Sequence, residues 1–330
     1  MIAAVEHAEK ELFIPPVRTG TGAPAACRNL DFIIIGAQKC GTTSLHKYLE
    51  SHPELYLLPE KEVPYFSNDD YRSRGWDWYV KDFFAQAPPG KLWGKSTPAY
   101  MTCFEVPGRI HAQMPHTKLI ALLRNPVDRA FSHYKMMVKR KRETRSFSGA
   151  VGEKLQPGNL RQDRLLPPGT EDDGYLTMGE YGRILEQYLQ FFPRRQLLVL
   201  FTEDLEREPG AVVKRVLQFL NVDDGFVPAN LGKHYHVGGT KRRIPVDEHS
   251  LARHRYFRRA LEFIPRASRH LFERRFLFWF MIWNTRPDAA TQKMPPEVRK
   301  QLNEFYREDA ARLARILNTP LPWQDSSGGQ

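Results

Sequence analysis

Three short runs of the chain are apolar at nearly every position rather than at alternate ones. They are 32–35 (FIII), 118–123 (KLIALL) and 196–201 (QLLVLF). Unbroken apolar runs of this length mark strands covered on both faces. Residues 93–98 (WGKSTP) read as a further short strand entering a turn, and 55–66 as strand and loop. Between these runs the apolar spacing changes to a helical one. From Thr42 to just before Pro53, Leu45, Tyr48 and Leu49 fall on one face, which predicts a helix of about ten residues. Residues 180–191 predict a helix leading into the 196–201 strand. Residues 209–220 put Val212, Val213, Val216, Leu217 and Leu220 on one side. A last helix from near Pro296 keeps Val298, Leu302, Phe305, Tyr306, Leu313 and Leu317 in register. The 139–173 stretch, with KRKRETR and PPG, reads as charged loop. Residues 1–30, with Pro15 and Pro16, read as a lead-in, and no internal repeat is visible.

Strands alternating with helices imply an α/β fold: a P-loop-like, three-layer arrangement with a central parallel sheet flanked by helices. Residues 31–330 read as a single domain, with an Arg-rich helical insertion or subdomain at about 247–290. Ligands in such folds bind at the carboxyl ends of the strands, and two strand ends here carry suitable chemistry. The 32–35 strand stops at Gly36 and continues as AQKCGTTS through Ser44. Glycines let backbone N–H groups turn toward one point, and the following helix adds positive potential there, so the loop is an anion cradle. The 118–123 strand ends in Arg124. Asn125 is then suited to cap a helix, Pro126 to open it, and Asp128 to sit in its first turn.

Charge extends this picture. The 330 residues carry a formal net charge of +11, and 41% are hydrophobic, enough for a full core. Residues 251–275 hold a dense arginine cluster opposed only by Glu262 and Glu273. Such a balance favours anionic partners. The adjoining apolar run 276–283 is too short to span a bilayer. The 251–283 stretch therefore reads either as a helical subdomain with a solvated basic face or as a peripheral contact with an anionic membrane. The first residues carry early acids and no apolar core, unlike a secretory signal. Cys27, Cys40 and Cys103 lack metal-site spacing and cannot all pair, which favours a reduced, cytoplasmic setting. Charge alone supports no specific nucleic-acid binding, because no aromatic RNA-binding motif accompanies it.

The cradle differs from a nucleoside-triphosphate loop. Gly36 and Gly41 have the right separation, but Thr42 stands where that loop places its lysine, and the lysine is at Lys39 instead. Arg124-Asn125 occupies the strand end where a Mg²⁺-holding acid would sit. A transfer that requires no metal is the expectation, with lysines neutralising charge. Here the chain resembles the sulfotransferases that use 3′-phosphoadenosine-5′-phosphosulfate (PAPS), especially the heparan-sulfate branch and its bacterial relatives. The resemblance runs from about residue 31 to 323.

By that likeness Lys39 contacts the bridging oxygen of the cofactor, and the backbone of Cys40, Gly41, Thr42, Thr43 and Ser44 holds its 5′-phosphate. Arg124 and Ser132, in LRNPVDRAFSHY, resemble the 3′-phosphate site. KEVPYF (61–66) resembles the family's Lys-Glu segment, which makes Glu62 the general base beside Lys61. KSTPAY (95–100) is similar to an acceptor-lining segment whose lysine, here Lys95, donates positive charge. Lys241, Arg242 and Arg243 resemble a late basic loop that closes over the cofactor, although the family's Lys-Gly-Arg order is absent. His133, beside Ser132, reads as a packed histidine or an alternative base. The resemblance implies sulfuryl transfer from PAPS, leaving the product PAP, to a hydroxyl or amine of a glycan, lipid-linked sugar or small natural product. A P-loop kinase and a non-enzymatic anion-binding module are the competing readings.

Overall fold

The computed structural model describes residues 28–59, 62–165, 174–233, 235, 240–242, 276, 285–287 and 293–323. Its centre is a five-stranded sheet. In chain order the strands are β1 (Phe32–Gly36), β2 (Leu55–Leu57), β3 (Leu92–Ser96), β4 (Lys118–Leu123) and β5 (Leu197–Phe201). They lie in the order β2-β3-β1-β4-β5, and every pairing is parallel. The chain thus reverses its direction of growth at β1, so β1 and β4 form the switch point where such folds open a binding crevice. Every residue of β1 is buried, as are five of the six in β4. That uniform burial is what the unbroken apolar runs predict for a sheet covered on both faces.

The helices follow the chain as α1 (Thr42–Leu49), α2 (Asp69–Ser73), α3 (Trp76–Phe83), α4 (Val106–Gln113), α5 (Pro126–Lys139), α6 (Phe147–Lys154), α7 (Pro157–Arg164), α8 (Tyr181–Leu189), α9 (Thr202–Arg207), α10 (Pro209–Leu220) and α11 (Pro296–Leu317). The α1 helix is slightly shorter than its apolar spacing suggests. Leu45 and Leu49 are fully buried, each worth about 1.5–3 kcal/mol of burial. The apolar side of α10 is buried as the spacing predicts. One close approach depends on glycine. A Cβ on Gly94 of β3 would lie 2.1 Å from the Phe32 ring of β1, so the ring occupies the space a side chain would fill.

A second core joins α5, α6 and the 175–176 segment to α11 through Phe131, Tyr134, Phe147, Tyr175, Leu302 and Tyr306. The α11 helix also caps α8, because the Asp309 carboxylate accepts the N–H groups of Gly182 and Arg183, each at 2.8 Å.

The 139–173 stretch departs from the loop expected of it, since α6 and α7 lie within it. Two glycines weaken the helical signal of α6, and α7 has no apolar stripe. Both start on local signals: Ser146 accepts the Gly149 N–H at 3.2 Å, and Pro157 opens α7. A small antiparallel pair, β6 (Thr240–Arg242) with β7 (Thr285–Pro287), was also not foreseen. Among the described residues no helix is long and apolar enough to cross a membrane. The lead-in before residue 28 and, apart from Phe276, the 251–283 stretch lie outside the described residues.

Candidate active site

The cradle is built where β1 and β4 end side by side. Ala37 N–H donates to the Leu122 carbonyl of β4 at 2.8 Å, which carries the β1 alignment into the loop. Gly41 then adopts φ 85°, a left-handed conformation, and α1 begins at the next residue with no side chain capping it. One hydroxyl ties three segments together: Thr202, after β5, donates to the Cys40 carbonyl at 2.7 Å and lies 2.9 Å from that of Leu123. Cys40 points inward to within 3.5 Å of the Tyr181 hydroxyl, and burial pushes its thiol up to about 11. It fills space and is not a reactive thiolate.

The backbone donors of the loop divide into two sets. Cys40 N–H is bonded to the Ala37 carbonyl at 3.3 Å, and Ser44 N–H to the Gly41 carbonyl at 2.9 Å. The N–H groups of Lys39, Gly41 and Thr42 make no hydrogen bond among the described residues. The expectation that all of 40–44 presents free donors is thus narrowed. The Ser44 hydroxyl is also committed, accepting the Tyr235 N–H at 3.1 Å.

Positive charge gathers around these donors, with the Glu203 carboxylate near enough to act on Arg124 and Cys40. Lys39 has φ 72°, is partly buried, and sets its Nζ 3.7 Å from the Met136 sulfur of α5. Burial, and then Arg140, Arg129 and Arg124, lower its pKa to about 8. Arg124 stands at the end of β4, as the sequence predicts. Asn125 caps α5 by accepting the Val127 N–H at 2.9 Å, and the Glu203 carboxylate receives the Asn125 N–H at 2.9 Å. Ser132 lies on α5, partly exposed, so arginine and hydroxyl belong to the start and flank of one element. No described carboxylate forms an ion pair with Lys39, Arg124 or Arg129. Buried cations ordinarily have partners. Unpaired cations beside free N–H donors fit a group carrying two phosphates.

His133 is fully buried, and burial, Arg129, Lys39 and Arg140 hold its pKa well below the usual imidazole range. It is a packed residue and cannot reach an acceptor.

Glu62 lies beyond the end of β3, next to β1. Its N–H donates to the Ser96 carbonyl at 3.0 Å, its φ is 71°, and its side chain is exposed. Lys95 corrects the expectation of an acceptor-facing cation. It is 1% exposed and sits over the rings of Tyr79 and Tyr100, at 5.0 and 5.1 Å. Its amine donates to the Val63 carbonyl and approaches the Tyr100 hydroxyl at 3.1 Å. Burial drives its pKa well below the usual lysine value. Both faces of β3 are covered, so Lys95 is buried on the strand and grips the residue that follows Glu62. Lys241 and Arg242 lie on β6. Lys61 and Arg243 fall outside the described residues.

Among the described residues no three His, Cys, Asp or Glu side chains cluster as a metal site would. A cavity of about 400 Å³ opens at the opposite, amino edge of the sheet, lined by Arg28, Asn29, Met114 and Lys118 among others. It is remote from this chemistry.

The sulfotransferase domain profile matches residues 29–241, a span that includes the cradle and the Glu62, Lys95 and Arg124–Ser132 segments and ends within β6. The chain belongs to the PAPS-dependent sulfotransferase domain family. Heparan sulfate glucosamine 3-O-sulfotransferase 6 of Mus musculus is 30% identical over 235 residues, covering 71% of this chain and 63% of that protein. The bifunctional heparan sulfate N-deacetylase/N-sulfotransferase 2 of Homo sapiens is 32% identical over 205 residues, covering 58% of this chain and 22% of its own length. The chain thus spans less than two thirds of these relatives. A sulfotransferase crystal structure from Alicyclobacillus acidocaldarius superposes with a TM-score of 0.62 at 26% identity, covering 89% of this chain and 98% of that one.

Three residues of this sulfotransferase site were missed by sequence reasoning. Thr202 and Glu203 follow β5, the next strand end along the same edge, and the carboxyl-end rule applied to that strand would have raised them. Arg129 stands four residues before His133 on one helical face of the LRNPVDRAFSHY motif.

Proposed function

We propose that this chain transfers a sulfuryl group from PAPS to a hydroxyl or amine of a carbohydrate or small natural product, with Glu62 as general base. The observation that carries the reading is the cradle's pairing of unpaired cations with unbonded N–H groups where β1 and β4 meet. Lys39, Gly41 and Thr42 would hold the 5′-phosphate side, Arg124 and Ser132 the 3′-phosphate. Lys241, Arg242 and Arg243 would close over the cofactor. When bound, PAPS supplies an activated sulfuryl group and a phosphate leaving group. Lys39 carries its ammonium below about pH 8 and stabilises charge that builds on the leaving oxygen. Glu62, exposed at the neighbouring strand end, accepts the proton of the attacking hydroxyl or amine. An alcohol is a far weaker acid than a carboxylic acid, so this proton moves late, and such assistance contributes about 10²–10⁴-fold. Lys95 acts through Val63 as a positioning residue for Glu62. The carbohydrate acceptor draws on the named relatives, one a heparan sulfate glucosamine 3-O-sulfotransferase and the other a heparan sulfate N-deacetylase/N-sulfotransferase.

The test is PAP binding by calorimetry, together with transfer of radiolabelled sulfate from PAPS to candidate acceptors. Glu62→Gln is expected to lose transfer about 10²-fold or more while PAP binding persists. Near-native transfer by Glu62→Gln would overturn the base assignment, and a native chain that ignores PAP would overturn the whole reading.

A further inference from the structure

A buried charge in α5 has no place in the assignments above. Arg129 is 0% exposed, yet its contacts are a carbonyl and an imidazole. Its Nη2 donates to the Tyr175 carbonyl, its Nη1 lies 3.5 Å from His133 Nδ1, and its Nε has no partner. His133 is also fully buried, and its Nε2 is equally unpartnered. Burying a guanidinium without a carboxylate is costly and is ordinarily resolved by an ion pair. Cations crowd the same region, with Lys39, Arg124 and Arg140 around it, while Glu203 faces the loop from the start of α9 and forms no ion pair with Arg129.

We infer that Arg129 is an electrostatic positioning residue of the cofactor cradle, whose unpaired buried charge is balanced by the phosphates of the bound nucleotide. It does not reach the ligand surface. It supplies fixed positive potential from beneath the loop, in a region of low dielectric where charges act over longer distances. His133 keeps the arrangement cationic, because its imidazole accepts from the guanidinium and burial among cations holds it neutral. The field of Arg129 reaches both Lys39 and Cys40 in the loop. The groups acting on Lys39 are Arg140, Arg129 and Arg124, which disfavour its charge, and Cys40, which favours it. Removing Arg129 therefore has two effects of opposite sense. It weakens phosphate binding at neutral pH, and it moves the alkaline loss of Lys39 charge to higher pH.

This inference rests on the PAPS reading, and its test separates the two. PAP is titrated calorimetrically into the native chain and the Arg129→Met and Arg129→Lys variants, from about pH 7 to about pH 9.5. Arg129→Met is expected to bind PAP on the order of tenfold more weakly at neutral pH, with its alkaline midpoint displaced upward. Arg129→Lys, which keeps the charge and loses the guanidinium geometry, is expected to stay within about threefold of native affinity. A fall in affinity with an unmoved midpoint would mean a packing role only and would overturn the inference. Should Arg129→Met fail to fold, Arg129→Lys decides: a loss of tenfold or more would show that geometry, not charge, matters. A native chain that does not bind PAP would instead refute the proposed function itself.

Discussion

Replacing Lys39 by methionine should make the ligand-free protein more stable while disabling its cradle. Burial and the neighbouring guanidiniums pull the Lys39 ammonium from its ordinary 10.5 down to about 8. At about 1.4 kcal/mol per pH unit, the fold gives up about 3 kcal/mol to keep that charge at neutral pH. Methionine has a similar length and no charge, so it removes the penalty and keeps most of the packing against Met136. The sign with pH is fixed. Below about pH 8 both folded and unfolded chains hold the proton and the penalty is complete. Between about 8 and 10.5 the folded chain releases the proton first, so native stability rises with pH and the advantage of Lys39→Met shrinks. Urea unfolding of both proteins at about pH 7 and about pH 9.5, without ligand, measures this directly. A gain of up to about 3 kcal/mol at the lower pH is expected, with a smaller gain at the higher. PAP should then stabilise the native chain far more than the variant. A variant no more stable than native at pH 7, or an advantage indifferent to pH, would refute the reasoning.

The remaining predictions concern the supports of the site. Lys95→Met should lower turnover while PAP affinity stays native, since the lost bond holds Val63 rather than the cofactor; equal losses in both would contradict the positioning role. Gly94→Ala drives a methyl group into the Phe32 ring and should cost about 1–3 kcal/mol in thermal or urea unfolding, with recovery on adding Phe32→Leu. Thr202→Val removes the hydroxyl that donates to the Cys40 carbonyl and lies beside that of Leu123, leaving a buried acceptor unmatched. It should cost about 1–3 kcal/mol of stability and weaken PAP binding in the same protein, and unchanged calorimetry would dismiss the link.

The central sheet was legible because β1, β4 and β5 are covered on both faces, and such coverage leaves uninterrupted apolar runs. The start of α5 was legible for a different reason: Asn125 and Pro126 act within one turn, and the structure repeats their local geometry. The α6 helix was not, because beyond its Ser146 cap its signal is tertiary. Phe147 and Val151 are helical where they meet Phe131 and Tyr134, a contact that no window of residues 139–173 contains. The same division runs through the site. The positions of Lys39 and Arg124 beside the ends of β1 and β4 followed from the apolar runs that mark those strands. The inward turn of Lys95 depends on which face of β3 meets the Tyr79 and Tyr100 rings, and the isolation of Arg129 depends on what is missing around it. Neither can be read from residue order.

The bonds of Thr202 have a consequence for how such a protein can change over generations. One hydroxyl joins the cradle, the end of β4 and the start of α9, so the donor side of the crevice behaves as a single casting. The β2–β3 side is joined to it by the β1–β3 pairing and by the packing of Met101 against Gly36, and it presents Glu62 on an exposed turn. On the function proposed above, substitutions around that turn would reshape what is accepted while the machinery that holds the donor is inherited intact. A lineage built this way explores new acceptors at one rim of the sheet without having to reinvent the other.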